Sequence, residues 1–326
     1  MRILTNVNID WLRWRWYALA VSWLIIIGGI TMMVRQGVPL GIDFSGGTEI
    51  VVRFDRAVSD DAVRNALAAI PGEKQIQQYG QPADNEKLIK LPQATEAEKG
   101  FELEKTALAV EDSLRQANIG KFERRSLAVV GPVMGADLQQ KGFYATILSL
   151  LGIMAYIWLR FRLSFGIGAM VASIHDVLIT LSFLIFAGYE LSLNVVAAIL
   201  TLVGYGVNDQ IVIFDRVREN MRQNRREPMN VIINKSVNQT LPRTVITAGV
   251  TFLAVLSLYL FGGEVLEPFG FTMLVGIATS TYSTVFIASA VAVLLSPRRI
   301  RSGTAAEASA TDATRPGRKQ RRARAS

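Results

Sequence analysis

Six long apolar stretches dominate the pattern of hydrophobic and polar positions along the chain. Each is long enough to cross a bilayer as an α-helix, which takes about 20 mostly apolar residues. The predicted spans are residues 16–34, 143–159, 165–187, 191–214, 241–261 and 270–295. The first follows several arginines, as a signal peptide would, but its apolar core is too long and no small-x-small cleavage site follows it. It is therefore predicted to be an uncleaved anchor.

The short loops on the two sides of these spans differ in charge. Lys and Arg crowd the loops after the second and fourth spans, whereas the opposite short loops contain no Lys or Arg. The basic residues are Arg160, Arg162, Arg216, Arg218, Arg222, Arg225, Arg226 and Lys235. The acidic residues of the opposite loops are Glu190, Glu264 and Glu267. Because cytoplasmic loops carry the excess of Lys and Arg, both the N-terminal residues 1–15 and the basic tail 297–326 are predicted to be cytoplasmic.

The polar segment 35–141, between the first and second spans, is then periplasmic and long enough to fold as a small domain. We call it the outer domain. Alternating apolar positions predict strands within 41–54, 74–79, 87–91 and 121–131, and helical spacing predicts helices within 58–70 and 95–116. The order β-α-β-β-α-β predicts a ferredoxin-like α+β sandwich. The predicted fold class is an α-helical membrane protein with six transmembrane helices and this one periplasmic domain.

Composition agrees with a membrane protein and excludes several kinds of chemistry. Of 326 residues, 50% are hydrophobic, and the mean hydropathy is +0.30, which is high for a soluble protein. The chain has no cysteine, so disulfides and thiolate chemistry are excluded. It has a single histidine, His175, so a multi-histidine metal site is excluded. No nucleophile–base pair, metal cluster or nucleotide motif is found, and we expect no metal, no cofactor and no enzyme activity.

The segment GIDFSGG at residues 41–47 allows two interpretations. It could cradle a phosphate, but it lacks the lysine of a P-loop and the spacing of a Rossmann turn. It could also be a tight turn where the first span enters the outer domain, because glycine tolerates positive φ. We favour the turn, in which Gly41, Asp43, Gly46 and Gly47 are structural residues.

The fourth span contains a carboxylate, Asp209, within the sequence VGYGVNDQIVIFDR at 203–216. A charge at the bilayer centre costs about 2.5–3.5 kcal/mol on insertion scales, so something must offset it. Asp209 is either half of a structural ion pair or a proton carrier that alternates between an apolar and a cationic environment, and we favour the carrier. Asp215, at the end of the span, is interpreted as a solvated charge.

Four further polar residues lie in or beside the spans. Arg243 begins the fifth predicted span at a depth similar to that of Asp209, so it either pairs with Asp209 or snorkels to the lipid headgroups. His175 has a side chain suited to proton relay, or it hydrogen-bonds a neighbouring helix. Asp176, at mid-bilayer, must be neutral, paired or hydrated. Asn208 is interpreted as a helix–helix hydrogen-bonding group.

Several motifs together resemble the SecD/SecF family of bacterial protein-export membrane proteins. They are GIDFSGGTEI at 41–50, VGPVMGADL at 130–138, HDVLIT at 175–180, VNDQIVIFDRVREN at 207–220 and NQTLPRTVIT at 238–247. The resemblance extends over about residues 8–300 and does not include the tail. The glycine-rich motif and the motif around Asp209 are specific to this family.

The resemblance implies a function that the residues alone do not establish. It implies a location in the bacterial inner membrane, a SecD partner with a related six-helix fold, and action beside the SecYEG channel, often with YajC. The pair is expected to use the proton gradient to release unfolded preprotein on the periplasmic side, with Arg243 in the proton path. The basic tail is expected to contact anionic membrane lipids, and no nucleic acid is expected.

Two other functions remain open at this point. A small-molecule or lipid exporter of the resistance-nodulation-division type would have two outer domains and about twelve spans in one chain, whereas this chain has one domain and six spans. A purely structural assembly subunit would tolerate the loss of the charge of Asp209.

Overall fold

The structure is a computed structural model that describes residues 8–70, 74–80, 82–92, 102–130, 132–161, 163–224, 226–263 and 265–296. Arg162, Arg225, Glu264 and the basic tail 297–326 lie outside the described residues.

Within the described residues, six helical segments are long and apolar enough to cross a membrane. The helices are α1 (Arg15–Gln36), α5 (Pro132–Arg160), α6 (Leu163–Phe186), α7 (Leu193–Gln223), α8 (Met229–Phe261) and α9 (Glu267–Ser283), which continues through a π-helical turn (Thr284–Ala288) into α10 (Ser289–Leu294). The remaining α-helices of the described residues are the short α2 (Ile42–Ser45) and, in the outer domain, α3 (Asp60–Ala66) and α4 (Glu102–Ala117). The predicted fold class, six spanning helices with a small α+β domain, is confirmed.

The outer domain contains one four-stranded antiparallel sheet. Its strands are β1 (Gly47–Phe54), β2 (Gln75–Tyr79), β3 (Glu86–Pro92) and β4 (Phe122–Val130), in the spatial order β2-β3-β1-β4. The central strand β1 pairs with β3 and β4 so that Ile50 lies opposite Ile89 and Leu127. With α3 after β1 and α4 after β3, the chain order is the β-α-β-β-α-β order predicted from the sequence.

Helix α4 contributes an apolar face to the core of the outer domain. Ala107, Val110 and Leu114 are fully buried at spacings of three and four residues, whereas Leu108 is 54% exposed. This is the spacing of one face of an α-helix. The buried face meets Ile50, Ile89 and further apolar side chains of the sheet in one cluster.

In the membrane region, α6, α7 and α9 are central, because at least half of the residues in their most apolar parts are buried. Helices α1, α5 and α8 are peripheral. Two glycines bring the central helices together. A Cβ at Gly206 of α7 would lie 2.4 Å from Ser280 Oγ of α9, and a Cβ at Gly276 of α9 would lie 2.4 Å from a Leu202 methyl of α7. Small residues are typical of such close contacts between membrane helices.

Helices α7 and α8 extend well beyond the predicted spans 191–214 and 241–261. Asn220 of α7 donates to Ser236 Oγ and to Gln239 Oε1 of α8, each at 2.8 Å, so the polar extensions form a helical hairpin. The predicted span 241–261 lies within α8, which begins earlier, at Met229, so Arg243 lies near the middle of this helix. An apolar stretch in the sequence indicates which residues lie in the bilayer. It does not indicate where the helix ends, because a helix can continue into polar residues outside the membrane.

The extension of α8 also holds the N-terminal segment. Asn238 accepts from Ile9 N at 3.2 Å and donates to Ile9 O at 2.9 Å, while Asn234 accepts from Leu12 N at 3.2 Å. These contacts fix the part of α8 that precedes Arg243 against both α7 and the chain before α1.

We predict that Leu114→Ala lowers the free energy of unfolding of the separately expressed segment 35–141 by about 2–5 kcal/mol, because it leaves a cavity beneath the sheet. The matched control is Leu108→Ala on the exposed face of the same helix, which should cost much less. Urea unfolding followed by circular dichroism measures both. Equal losses in the two variants would contradict the assigned core face of α4.

We predict that Gly206→Ala destabilises the purified chain in detergent by about 1–3 kcal/mol, because the added methyl overlaps Ser280 and the helices must separate. Gly204→Ala on the same helix is the control, since a Cβ there meets no atom within 4 Å. Thermal unfolding measures the difference. A Gly206 variant as stable as the Gly204 variant would show that α7 and α9 are less closely packed than described.

Candidate functional site

Asp209 lies in the helix-packed interior of the membrane region. Asp209 is 3% exposed, and its Oδ2 has no hydrogen-bond partner among the described residues. The next residue, Gln210, is fully buried, and neither its amide nitrogen nor its amide oxygen has a partner in the described part of the chain. A buried polar group without a partner costs free energy. The unpartnered polar atoms of Asp209 and Gln210 therefore make this part of α7 energetically unfavourable.

Arg243 lies at a matching depth on α8. Asp209 is fourteen residues from the end of α7 and Arg243 is fourteen residues from the start of α8, or about 21 Å along each helix. The charge of Arg243 acts on the carboxyl of Asp209. Within the described residues, however, no ion pair within 4 Å joins the two, and Arg243 is exposed on the outer face of α8. The two groups are thus close but not in contact.

Tyr205 is a neighbour of Asp209 that the sequence interpretation missed. It lies one turn before Asp209 on α7, the charge of Asp209 acts on its hydroxyl, and Thr251 of α8 is beside it. Thr244, next to Arg243, is buried, and its hydroxyl has no partner among the described residues. The spacing of four residues between Tyr205 and Asp209 was a usable signal, because residues four apart share a helix face.

His175 and Asp176 form a second polar cluster on α6. Both are buried, His175 Nδ1 lies 3.1 Å from Asp176 Oδ1, and His175 Nε2 has no partner in the described residues. Asp176 also faces Ser280 and Ser283 of α9. These serines were not predicted, because their proximity to Asp176 depends on how α6 packs on α9.

The second cluster contacts α7 at Gly206. A Cβ at Gly206 would lie 3.6 Å from Asp176 Oδ2, and Gly206 precedes Asp209 by three residues. The π-helical turn of α9 begins directly after Ser283. Such turns are rare and are frequent at functional sites. The carboxyl of Asp176 therefore packs against the same stretch of α7 that carries Asp209.

Asn208 points away from both clusters. It is exposed and continues a stripe of small and polar residues along α7, at spacings of three and four. The stripe, which we call the α7 stripe, consists of Asn194, Ala197, Thr201, Gly204 and Asn208. Arg243 is exposed on the neighbouring helix α8, so the outer surface of these two helices carries polar groups at membrane depth.

The glycine-rich turn lies at the outer end of α7. Gly46 and Gly47 have φ of 71° and 133°, which favours glycine. Gly41 N donates to Leu191 O at 2.9 Å, and Asp43 Oδ2 accepts from Leu193 N, the first residue of α7, at 2.9 Å. These contacts fit the tight-turn interpretation, and Asp43 is engaged with the helix.

A cluster of three charged residues lies beside this turn. Lys90 Nζ of β3 is 2.5 Å from Glu190 Oε2, in the loop before α7, and 3.6 Å from Glu49 Oε2 of β1. Burial raises the pKa of Glu49, and the positive charge of Lys90 opposes that shift. The outer domain is thus joined to the start of α7 by a charge-assisted contact as well as by the turn.

Across the described residues, no three His, Cys, Asp or Glu side chains come together as a possible metal site. The carboxyls, the imidazole and the hydroxyls at the site can hold and pass protons, whereas the nearby guanidinium of Arg243 stays charged.

Two family descriptions match this chain. "Protein export membrane protein SecD/SecF, C-terminal" matches residues 109–298, and "SecD/SecF GG Motif" matches residues 31–58. The second match contains the glycine-rich turn, and the first contains Asp176, Asp209 and Arg243.

Curated relatives match over nearly their whole length. The protein translocase subunit SecF of Desulfurispirillum indicum is 40% identical over 296 residues, which cover 90% of this chain and 93% of that protein. The protein translocase subunit SecF of Escherichia coli O157:H7 is 38% identical over 293 residues, covering 89% and 88%.

Solved structures of SecDF share the fold. SecDF of Thermus thermophilus, described as a translocon-associated membrane protein, is 31% identical with a TM-score of 0.79 and covers 90% of this chain. SecDF in a super-membrane-facing form is 32% identical with a TM-score of 0.65 and covers 94%. This chain spans 39% and 40% of the length of those two SecDF chains. On the family matches and on the relatives at 38–40% identity, this multi-pass membrane chain belongs to the SecD/SecF family of protein export membrane proteins.

Proposed function

We propose that this chain couples the proton-motive force to the release of preprotein on the periplasmic side of the membrane, with Asp209 as its proton carrier. The observation that carries the proposal is the burial of Asp209 on a central helix, where Oδ2 has no partner among the described residues while the charge of Arg243 acts on the carboxyl. The chain acts as a transporter subunit, and no covalent bond of a substrate is made or broken.

The two states follow from the surroundings of the carboxyl. In an apolar interior, a carboxyl without a cationic partner is stable when it is protonated, and a nearby guanidinium stabilises its charged form. When Asp209 is charged, α7 and α8 are drawn together so that Arg243 approaches it. When Asp209 is protonated, that attraction is lost and the helices separate. Each proton then changes the packing of α7 against α8.

We propose that His175 and Asp176 form a second station of the proton path. The contact between His175 Nδ1 and Asp176 Oδ1 leaves Nε2 free to take up a proton from another direction. Asp176 reaches α7 at Gly206, three residues from the carrier. Rotation of α7 about its axis would turn Asp209 towards this second station on α6, and hydroxyls of α9 and internal water would complete the path.

We propose that a SecD subunit covers the α7 stripe and Arg243. An exposed guanidinium and an exposed amide at membrane depth are costly against lipid, and such groups normally face protein or a hydrated cavity. The stripe has the small and polar composition of a helix–helix interface, and Asn208 can hydrogen-bond across it. SecYEG and YajC are proposed as further partners, with unfolded preprotein as the substrate.

We propose that both termini lie in the cytoplasm of a bacterium and that the chain spans the inner membrane. The basic residues of the α7–α8 hairpin support this orientation. The basic tail 297–326 then faces anionic lipids of the cytoplasmic leaflet, which attract Lys and Arg.

The first prediction concerns this orientation. A single cysteine at Gln78, an exposed residue of the outer domain, should be labelled by an impermeant maleimide in intact spheroplasts. A single cysteine at Gln223, exposed at the end of α7, should react only after lysis. The chain contains no cysteine, so background labelling of this chain is absent. The reverse labelling pattern would invert the topology.

The second prediction concerns the carrier. Asp209→Asn keeps the shape and hydrogen-bonding capacity of the side chain but removes the titratable group, so it should insert and bind SecD normally and lose gradient-driven preprotein release. The control is Asp215→Asn on the same helix, where the carboxylate is exposed and 3.5 Å from Arg160; this variant should respond to the gradient as wild type does.

The measurement is preprotein release in inverted membrane vesicles with and without a proton gradient, at matched protein level. If Asp209→Asn responds to the gradient as wild type does, Asp209 is not the proton carrier, and its charge has a structural role. Loss of insertion or of SecD binding in this variant alone would favour a structural ion pair.

A further inference from the structure

Three hydrogen bonds join the segment that leads into the outer domain to the start of α7 and to the loop before it. Leu191 N donates to Pro39 O at 2.7 Å and Leu191 O accepts from Gly41 N at 2.9 Å, so the segment before β1 and the segment before α7 form a short parallel bridge at Leu40 and Leu191. Asp43 Oδ2 accepts from Leu193 N at 2.9 Å. Together, backbone and side chain hold one end of one helix.

The Lys90–Glu190 contact is independent of that turn. Lys90 lies on β3, more than forty residues after Asp43, and its ammonium is 2.5 Å from Glu190. Both side chains are mostly buried, at 12% and 25% exposed. Charge-assisted hydrogen bonds of this kind are the stronger ones in proteins. The sheet itself, and not only the turn that leads into it, is therefore fastened to the start of α7.

Helix α7 is a continuous rod from this attachment to the carrier. It runs from Leu193 to Gln223 without proline or an irregular turn. Asp209 lies sixteen residues from Leu193, or about 24 Å along the axis. Helices α1 and α5 also lead directly into the outer domain, but both are less buried than α7, and α7 is the helix that carries Asp209.

We propose that Asp43, Lys90 and Glu190 form the mechanical link through which α7 moves the outer domain. These are positioning residues, which contact neither a proton in transit nor the preprotein. The inference rests on the proposed function, because it supposes that protonation of Asp209 moves α7. In this mechanism the link stays closed, so a tilt or axial shift of α7 is passed directly to β1 and β3.

The burial of the link supports a permanent contact. A lysine shared by two carboxylates and shielded from solvent is screened little by salt. The N–H groups at a helix start are also satisfied best by a carboxylate that stays in place. Gly135 of α5 adds to this packing, since a Cβ there would lie 3.0 Å from Phe44 O and 3.1 Å from Gly46 N.

The test replaces the ion pair by a covalent link of adjustable length. Lys90→Cys and Glu190→Cys are introduced together into the otherwise cysteine-free chain, which is co-expressed with its SecD partner. Spheroplasts are treated with bis-methanethiosulfonate reagents that have short or long flexible spacers, and gradient-driven preprotein release is then measured in vesicles. Mass spectrometry identifies the link. Treated and untreated samples come from the same folded preparation, so a folding defect does not explain a difference between them.

We expect the untreated double variant to lose most of its gradient-driven release, the short-spacer link to restore it, and the long-spacer link to leave it low. Normal release in the untreated variant, failure of the short link to restore release, or equal restoration by both links would overturn the proposal. Failure of the short link would mean that this contact has to open during the cycle.

Variants of Asp43 test the other half of the link. Asp43→Ala removes the acceptor for Leu193 N and should lower gradient-driven release roughly fivefold, whereas Asp43→Asn keeps an acceptor oxygen and should retain most of it. Equal effects of Ala and Asn would overturn the capping role. The two proposals fail separately: a retained gradient response in Asp209→Asn overturns the carrier, while an unrestored short-link sample overturns the link.

Discussion

The free energy of placing Asp209 in the membrane interior is the constraint on which the rest of the site depends. On insertion scales a charge at the bilayer centre costs about 2.5–3.5 kcal/mol, and Oδ2 of this carboxyl has no compensating hydrogen bond among the described residues. The guanidinium of Arg243 lies nearby without contacting the carboxyl. The proposed carrier role requires that neither the charged nor the protonated form of Asp209 be fully satisfied, and the unpartnered Oδ2 agrees with that requirement.

Different parts of helix α7 make three different kinds of contact. Its inner faces contact α6 and α9 closely through glycines such as Gly206. Its exposed stripe of small and polar residues is suited to a partner helix. Its outer end is held by the turn and by the sheet of the outer domain. Because one continuous helix carries all three, the proposed proton switch at Asp209 would alter packing, partner contact and domain position together.

Much of this fold was predictable from the sequence, because hydrophobic periodicity and turn chemistry are local signals. The six spans, the β-α-β-β-α-β order and the unusual burial of Asp209 all came from such signals. The polar first turns of α8, which precede the predicted span, were not predicted, because contacts with α7, such as that between Asn220 and Ser236, stabilise them. The proximity of Ser280 to Asp176, and that of Asp43 to Leu193, depends on tertiary packing between distant segments, and no local pattern encodes it.

The exposure of Arg243 provides a way for partner binding to affect the proposed proton site at Asp209. A guanidinium on the outer face of α8 needs a polar or protein environment at that depth, so a subunit that covers it also determines how near it can come to Asp209. If the covered and uncovered states of Arg243 differ in that distance, partner contact changes the proton affinity of Asp209. By linkage, protonation of Asp209 then changes the affinity for the partner by the same factor. In the proposed mechanism the arrangement of α7 and α8 therefore makes the subunit interface a part of the proton switch, and a preprotein-driven change at that interface would in turn alter when the proton is released.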